Sequence, residues 1–202
     1  MEAAINIINE RVDDIPILMS VMDQMDLASI LNVHFPTHGN WSGLDLGSIT
    51  QVWLTHILSC ADHRLYHVQE WSRSRLRTLG GLVNQPIRDL DFTDDRLGDI
   101  LKALSNDEKW NRFEGEFNKH LLHVYDLPTK QVRLDATSVK SFGKILDDGL
   151  LKQGHSKDQR PDLGQYKIML STLDPLGLPL SSLIVSGEKA DDPLYLPVIK
   201  AS

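Results

Sequence analysis

The sequence predicts an α+β protein, an all-α helical N-terminal domain followed by a small sheet, and three observations carry that prediction. Residues 1–127 repeat apolar side chains at helical spacing, residues 131–137 alternate apolar and polar, and a proline-led turn at 174–177 joins two further β-rich runs. The change of period after Leu127-Pro128 divides the chain into a helical domain over 1–127 and a β-containing domain over 128–202.

Each element follows from local signals. Asp14 precedes Pro16 and an apolar stretch through Met25, a capped helix start with proline in its first turn. A second short helix is expected from Asp26 to about His34, ended by Pro36 and the His38-Gly39-Asn40 turn. Ser42-Gly43-Leu44-Asp45 reads as a capping box, and behind it Leu46, Ile49, Trp53, Ile57 and Cys60 share one helical face. One helix is expected over about 63–77, stopping at Gly80-Gly81. Thr93 caps a helix with Leu97, Ile100, Leu101 and Leu104 in a stripe. Ser105-Asn106-Asp107-Glu108 is a second capping box, ahead of Trp110, Phe113, Phe117, Leu121 and Val124.

Residues 131–137 form a half-buried strand with Arg133, Asp135 and Thr137 on one face, and residues 166–173 and 178–185 form a hairpin around Asp174-Pro175-Leu176-Gly177. A polar stretch over 143–164 separates the first strand from the hairpin. Ala190-Asp191-Asp192-Pro193 marks a helix start.

Composition narrows the class. With 41 % hydrophobic and 24 % charged residues the chain has material for a core and is neither disordered nor collagenous. The lone Cys60 forms no intramolecular disulfide, and the acids in MEAAINIINERVDD do not fit a signal peptide. No apolar stretch approaches the roughly 20 residues that span a bilayer, so the expectation is a cytoplasmic protein with no membrane partner.

Charge is uneven: residues 1–127 hold 11 Lys+Arg against 19 Asp+Glu, and residues 128–202 hold 10 against 9. Within the acidic part, HRLYHVQEWSRSRLR at 63–77 carries Arg64, Arg73, Arg75 and Arg77 against only Glu70. Such an island can bind phosphate, with Trp71, Tyr66 or His67 beside the duplex, although the same spacing fits a solvated helix face. The pairs His34/His38, His63/His67 and His120/His123 lack the thiols or glutamate of a zinc site. No GxGxxG, GxxxxGK[ST] or GxSxG motif supports a nucleotide or hydrolase reading.

Asp135, on the polar face of its strand before Thr137 and Ser138, is the candidate catalytic and metal-binding residue, because Mg²⁺ prefers carboxylate oxygen. Spacing alone favours an ordinary strand or turn aspartate, which is common at such positions. The order LDATS, GHSKDQRPDL, MLSTLDPLGLPL, SGEKADDPLYLPVI resembles the DDE transposases of bacterial insertion sequences, whose RNase H-like catalytic domain follows a helical N-terminal domain. The resemblance is specific over about 132–199 and looser over the helices.

It implies that Asp135 is the first catalytic aspartate, with Mg²⁺ or Mn²⁺ as the ion of the complete site. Lys157, Arg160 and Asp162 match the family's loop motif, and Lys157 and Arg160 are expected to order that loop or touch DNA phosphates. It also implies that the second aspartate and the glutamate lie beyond the matched region. Asp174, Asp191 and Asp192 sit in a turn and at a helix cap, the wrong places for them. The chain is then expected to be an N-terminal fragment of a transposase that does not cleave DNA alone, its RNase H-like domain truncated, with an unpaired strand edge.

The partners so implied are DNA at element ends and a second copy of the chain, with no small-molecule substrate and a nucleoid location. A different class also fits: a non-catalytic DNA-binding or dimerising regulator of transposition. A blander third is a helical interaction module without nucleic acid.

Overall fold

The computed structural model describes residues 7–154, 160 and 162–201, which form two compact units dividing at Phe117/Asn118. The chain is α+β as expected. In the first unit α1 (Ile15–Gln24), α2 (Leu27–His34), α3 (Leu46–Cys60), α4 (Leu65–Arg73), α5 (Leu76–Leu82) and α6 (Asp94–Leu104) surround one core, with a 3-10 turn at Asp89–Phe92 ahead of α6. Helix α7 (Asp107–Val124) crosses the division: Trp110, Phe113 and Phe117 pack in the helical core, whereas Asn118 donates its side-chain amide to the Leu180 carbonyl at 2.6 Å. The units therefore part inside α7, earlier than the change of sequence period at 127/128.

Helix α3 is the axis of the first unit. Leu46, Ile49, Val52 and Trp53 are buried, and so are Gln51, Thr55 and His56, so its first three turns are enclosed on nearly every side. Gln51 has a partner there, donating to Asp23 at 2.6 Å. Gly47 is required where α2 and α3 meet, because a Cβ at that position would lie 2.1 Å from the Ala28 carbonyl oxygen.

Several local expectations shift when the hydrogen bonds are known. Asp45, and not Ser42, caps α3 by accepting the Ser48 amide at 2.7 Å. Gly43 adopts φ +87 in the preceding turn. Asn106, and not Ser105, caps α7 by accepting from the Lys109 amide, while Ser105 closes α6. Asp14 stands at the start of α1 but spends its carboxylate on the Ser59 hydroxyl at 2.6 Å.

The single helix expected over 63–77 is two. The hydroxyls of Ser72 and Ser74 bond back to the Gln69 and Trp71 carbonyls, Arg75 adds a bond to Trp71, and the chain breaks there. Gly80 and Gly81 lie inside α5, which is held by the buried Leu79.

In the second unit β1 (Val132–Ser141), β2 (Gly164–Leu173) and β3 (Leu178–Ser186) form an antiparallel sheet in the order β1-β2-β3, with Asp135 opposite Leu170 and Thr137 opposite Ile168. The Asp174–Pro175 peptide in the hairpin turn is cis. Helix α8 (Asp192–Ala201) sets Leu194 and Val198 against Met169, Leu134, Ala136, Leu183 and Val185 on one face of the sheet. Lys167 pairs with Asp191 at 2.6 Å and ties β2 to the start of α8. Arg133, Asp135 and Thr137 share the opposite face, all exposed, as the alternation predicts. No helix among the described residues is long and apolar enough to cross a membrane.

Candidate nucleic-acid interface

The arginines of the 63–77 window are positioned by the ends of α4 and the start of α5. Arg64, before α4, forms two bonds to Asp62, at 2.9 and 2.8 Å, and its guanidinium lies 5.8 Å from the Tyr66 ring. Arg73, in the last turn of α4, pairs with Asp89 at 3.0 Å. Both side chains point outward, 59 % and 61 % exposed. Arg75, at 13 %, is drawn inward: it bonds the Trp71 carbonyl at 3.0 Å, lies 5.0 Å from the Trp71 ring and faces Asp13 at 3.7 Å. Arg77 is exposed and shares its field with the Glu10 carboxylate.

The sequence window showed four arginines against one acid. Folded, the same four meet Asp62, Asp89, Asp13 and Glu10 as well as Glu70, so the island is no longer net positive. Arg64 and then His67 hold the Asp62 carboxyl far below the usual carboxylate range. Asp62 was legible from its place two residues before Arg64. Glu10, Asp13 and Asp89 reach the arginines only through tertiary folding and carry no local signal.

Trp71, expected beside a duplex, is buried, edge-on to His56 at 5.3 Å, and Tyr66 is the exposed aromatic of the window. His67 donates its Nδ1–H to the Asp62 carboxylate at 2.6 Å. Beside it a cleft of about 350 Å³ is lined by His56, Cys60, Asp62, His67, Glu70 and Arg75.

His56 itself is 1 % exposed, and its Nδ1 has no hydrogen-bond partner among the described residues. Burial pushes its pKa below the usual histidine value, the Asp62 charge opposing that only in part. The folded state therefore binds this proton less readily than the unfolded chain does. Its contribution is complete above the unfolded histidine value of about 6.5 and is lost as pH falls toward the depressed folded value. We expect urea midpoints to drop as pH is lowered through this window, and the drop to be smaller in His56→Phe. An identical pH dependence in both proteins contradicts this assignment.

In the second unit Asp135 stands at mid-strand with no ion-pair partner among the described residues. Arg160 is forked onto Asp162 by two bonds of 2.8 Å, and the guanidinium holds that carboxyl below its usual range. Lys157 lies outside the described residues, so Arg160 alone represents the loop's cations here. Among the described residues no group of three or more His, Cys, Asp or Glu is placed to hold a metal ion.

A family model described as Domain of unknown function (DUF4277) matches residues 7–115, rather more than half of the chain and nearly the whole helical unit. No curated protein and no solved structure matches.

Proposed function

We propose that the chain, which belongs to the family of the domain of unknown function DUF4277, acts in DNA transposition: the helical unit engages duplex DNA, and the sheet carries Asp135 as the first carboxylate of a phosphoryl-transfer site. The observation that carries this reading is the setting of Asp135. It is exposed at the middle of β1, in the order strand, polar loop, hairpin, helix, and α8 covers the other face of the sheet. That is the order in which LDATS, GHSKDQRPDL and SGEKADDPLYLPVI resemble the DDE transposases.

Support for DNA contact comes from Arg64 and Arg73. Arg73 meets Asp89 in a surface pair of the kind worth about 0–1 kcal/mol, so a phosphate can replace Asp89 at small cost. Arg64 is instead forked onto Asp62 by two bonds and offers a phosphate the outer side of its exposed guanidinium.

Phosphoryl transfer of this class uses two divalent ions about 3.5–4 Å apart. Asp135 is the sole carboxylate among the strand residues on its face, and the described residues do not by themselves make a site for Mg²⁺ or Mn²⁺. That observation favours a second reading, a DNA-binding or dimerising regulator that occupies DNA without cutting it.

The test is to incubate the chain with duplex DNA and Mg²⁺ or Mn²⁺. Metal-dependent strand cleavage that Asp135→Ala abolishes, with binding unchanged, supports the transposase reading. Binding without cleavage selects the regulator, and absence of binding contradicts both.

A further inference from the structure

We infer that residues 7–13 are an acidic strap that occupies the arginine face as a built-in competitor of polyanions and lifts when one binds. The inference rests on the DNA reading for the identity of the polyanion. Glu10 accepts the Arg77 amide at 3.0 Å and the Thr78 amide and hydroxyl at 2.7 Å each, and it lies in the field of Arg77. Asp13 faces Arg75 at 3.7 Å while also bonding Arg11 at 2.6 Å. Asp13 thus presents to the Arg75 guanidinium an oxygen of the kind a phosphate would, and Glu10 occupies the Arg77 and Thr78 amides beside it.

Nothing apolar fastens the segment. It has no helix or strand over residues 7–12, and its large hydrophobic side chains Ile7, Ile8 and Val12 are all exposed. A segment held by a few polar contacts and no buried apolar surface belongs to the low-stability end of a structure and opens locally. Its departure also changes the charge of the surface. With the strap in place Arg11 and the four arginines meet five carboxylates and the face is neutral; when Glu10, Arg11 and Asp13 leave, four arginines face Asp62, Glu70 and Asp89 and the face becomes net positive.

The experiment compares the full chain with Glu10→Gln/Asp13→Asn and with the charge-matched control Asp147→Asn/Asp148→Asn, two exposed acids of the second unit. Binding of a fluorescent duplex is followed by anisotropy at fixed salt. Removing one weak surface pair and the neighbouring Glu10 charge, both of which compete with the ligand, raises affinity roughly 3- to 30-fold in the strap variant, well beyond any change in the control. In wild type, inorganic polyphosphate accelerates amide exchange at Thr78 as Glu10 leaves. Strap and control variants of equal affinity overturn the inference while a DNA-binding wild type leaves the functional reading standing. Polyphosphate that lifts the strap when no variant binds duplex supports the strap and defeats the DNA reading. Thr78 exchange unchanged by polyphosphate overturns the strap.

Discussion

Replacing Asp91 by alanine is expected to lower the stability of the helical unit by roughly 3–5 kcal/mol, the loss typical when one partner is taken from a buried charge pair. Asp91 is fully buried at the end of the 3-10 turn. It accepts from the Arg88 amide at 3.0 Å and the Arg88 guanidinium at 2.9 Å, and Arg96 approaches it at 3.8 Å. Arg96 in turn bonds the Ser42 carbonyl at 2.6 Å and lies 4.1 Å over the Trp41 ring, so one carboxylate fixes the turn before α6 and the turn before α3. Gly43 belongs to the same knot: a Cβ there would lie 2.3 Å from the Asp91 oxygen. For a unit of this size the loss corresponds to a fall in Tm of well over about 10 °C. A fall of only a degree or two would show that the knot is incidental.

Gly47→Ala is the second large effect. The added methyl meets the Ala28 backbone carbonyl and not the end of a flexible side chain, so relief requires α2 and α3 to move apart. Overpacking of this kind costs roughly 1–3 kcal/mol and sometimes more. The loss is compounded because the Asn32 side chain accepts the Gly47 amide and donates to Asp45, the cap of α3. Gly81→Ala is the control, since nothing lies within 4 Å of a Cβ there. Chemical denaturation should show a lower midpoint for the first variant and an unchanged or higher one for the second. Equal midpoints would contradict the close approach.

Much of the fold is legible because its signals are local. Pro16, the helical spacing of Leu97 and Ile100, and the alternation over 131–137 each report a periodicity that survives in the folded chain. Caps are misplaced where neighbouring polar residues compete: Asp45 and Asn106 take the amides that Ser42 and Ser105 were expected to take. The break between α4 and α5 was hidden because Ser72, Ser74 and Arg75 end the first helix with side-chain bonds, a signal weaker in sequence than Gly80-Gly81. For the candidate site the difference is larger. The four arginines were visible, but Asp13, Glu10 and Asp89, which balance them, come from distant parts of the chain. Asp135 was placed on its strand face by alternation and singled out by the resemblance, and its exposure follows from the alternation.

The central claim, that the arginine face binds DNA phosphate, is tested most directly by the salt dependence of duplex binding. The logarithm of the association constant should fall linearly with the logarithm of salt, by about 0.9 for each phosphate neutralised. In Arg64→Ala/Arg73→Ala, which removes the two outward cations, that slope should become shallower by about 2 while the chain remains folded. A wild-type chain that binds no duplex at low salt, or a double variant with the wild-type slope, would contradict the account.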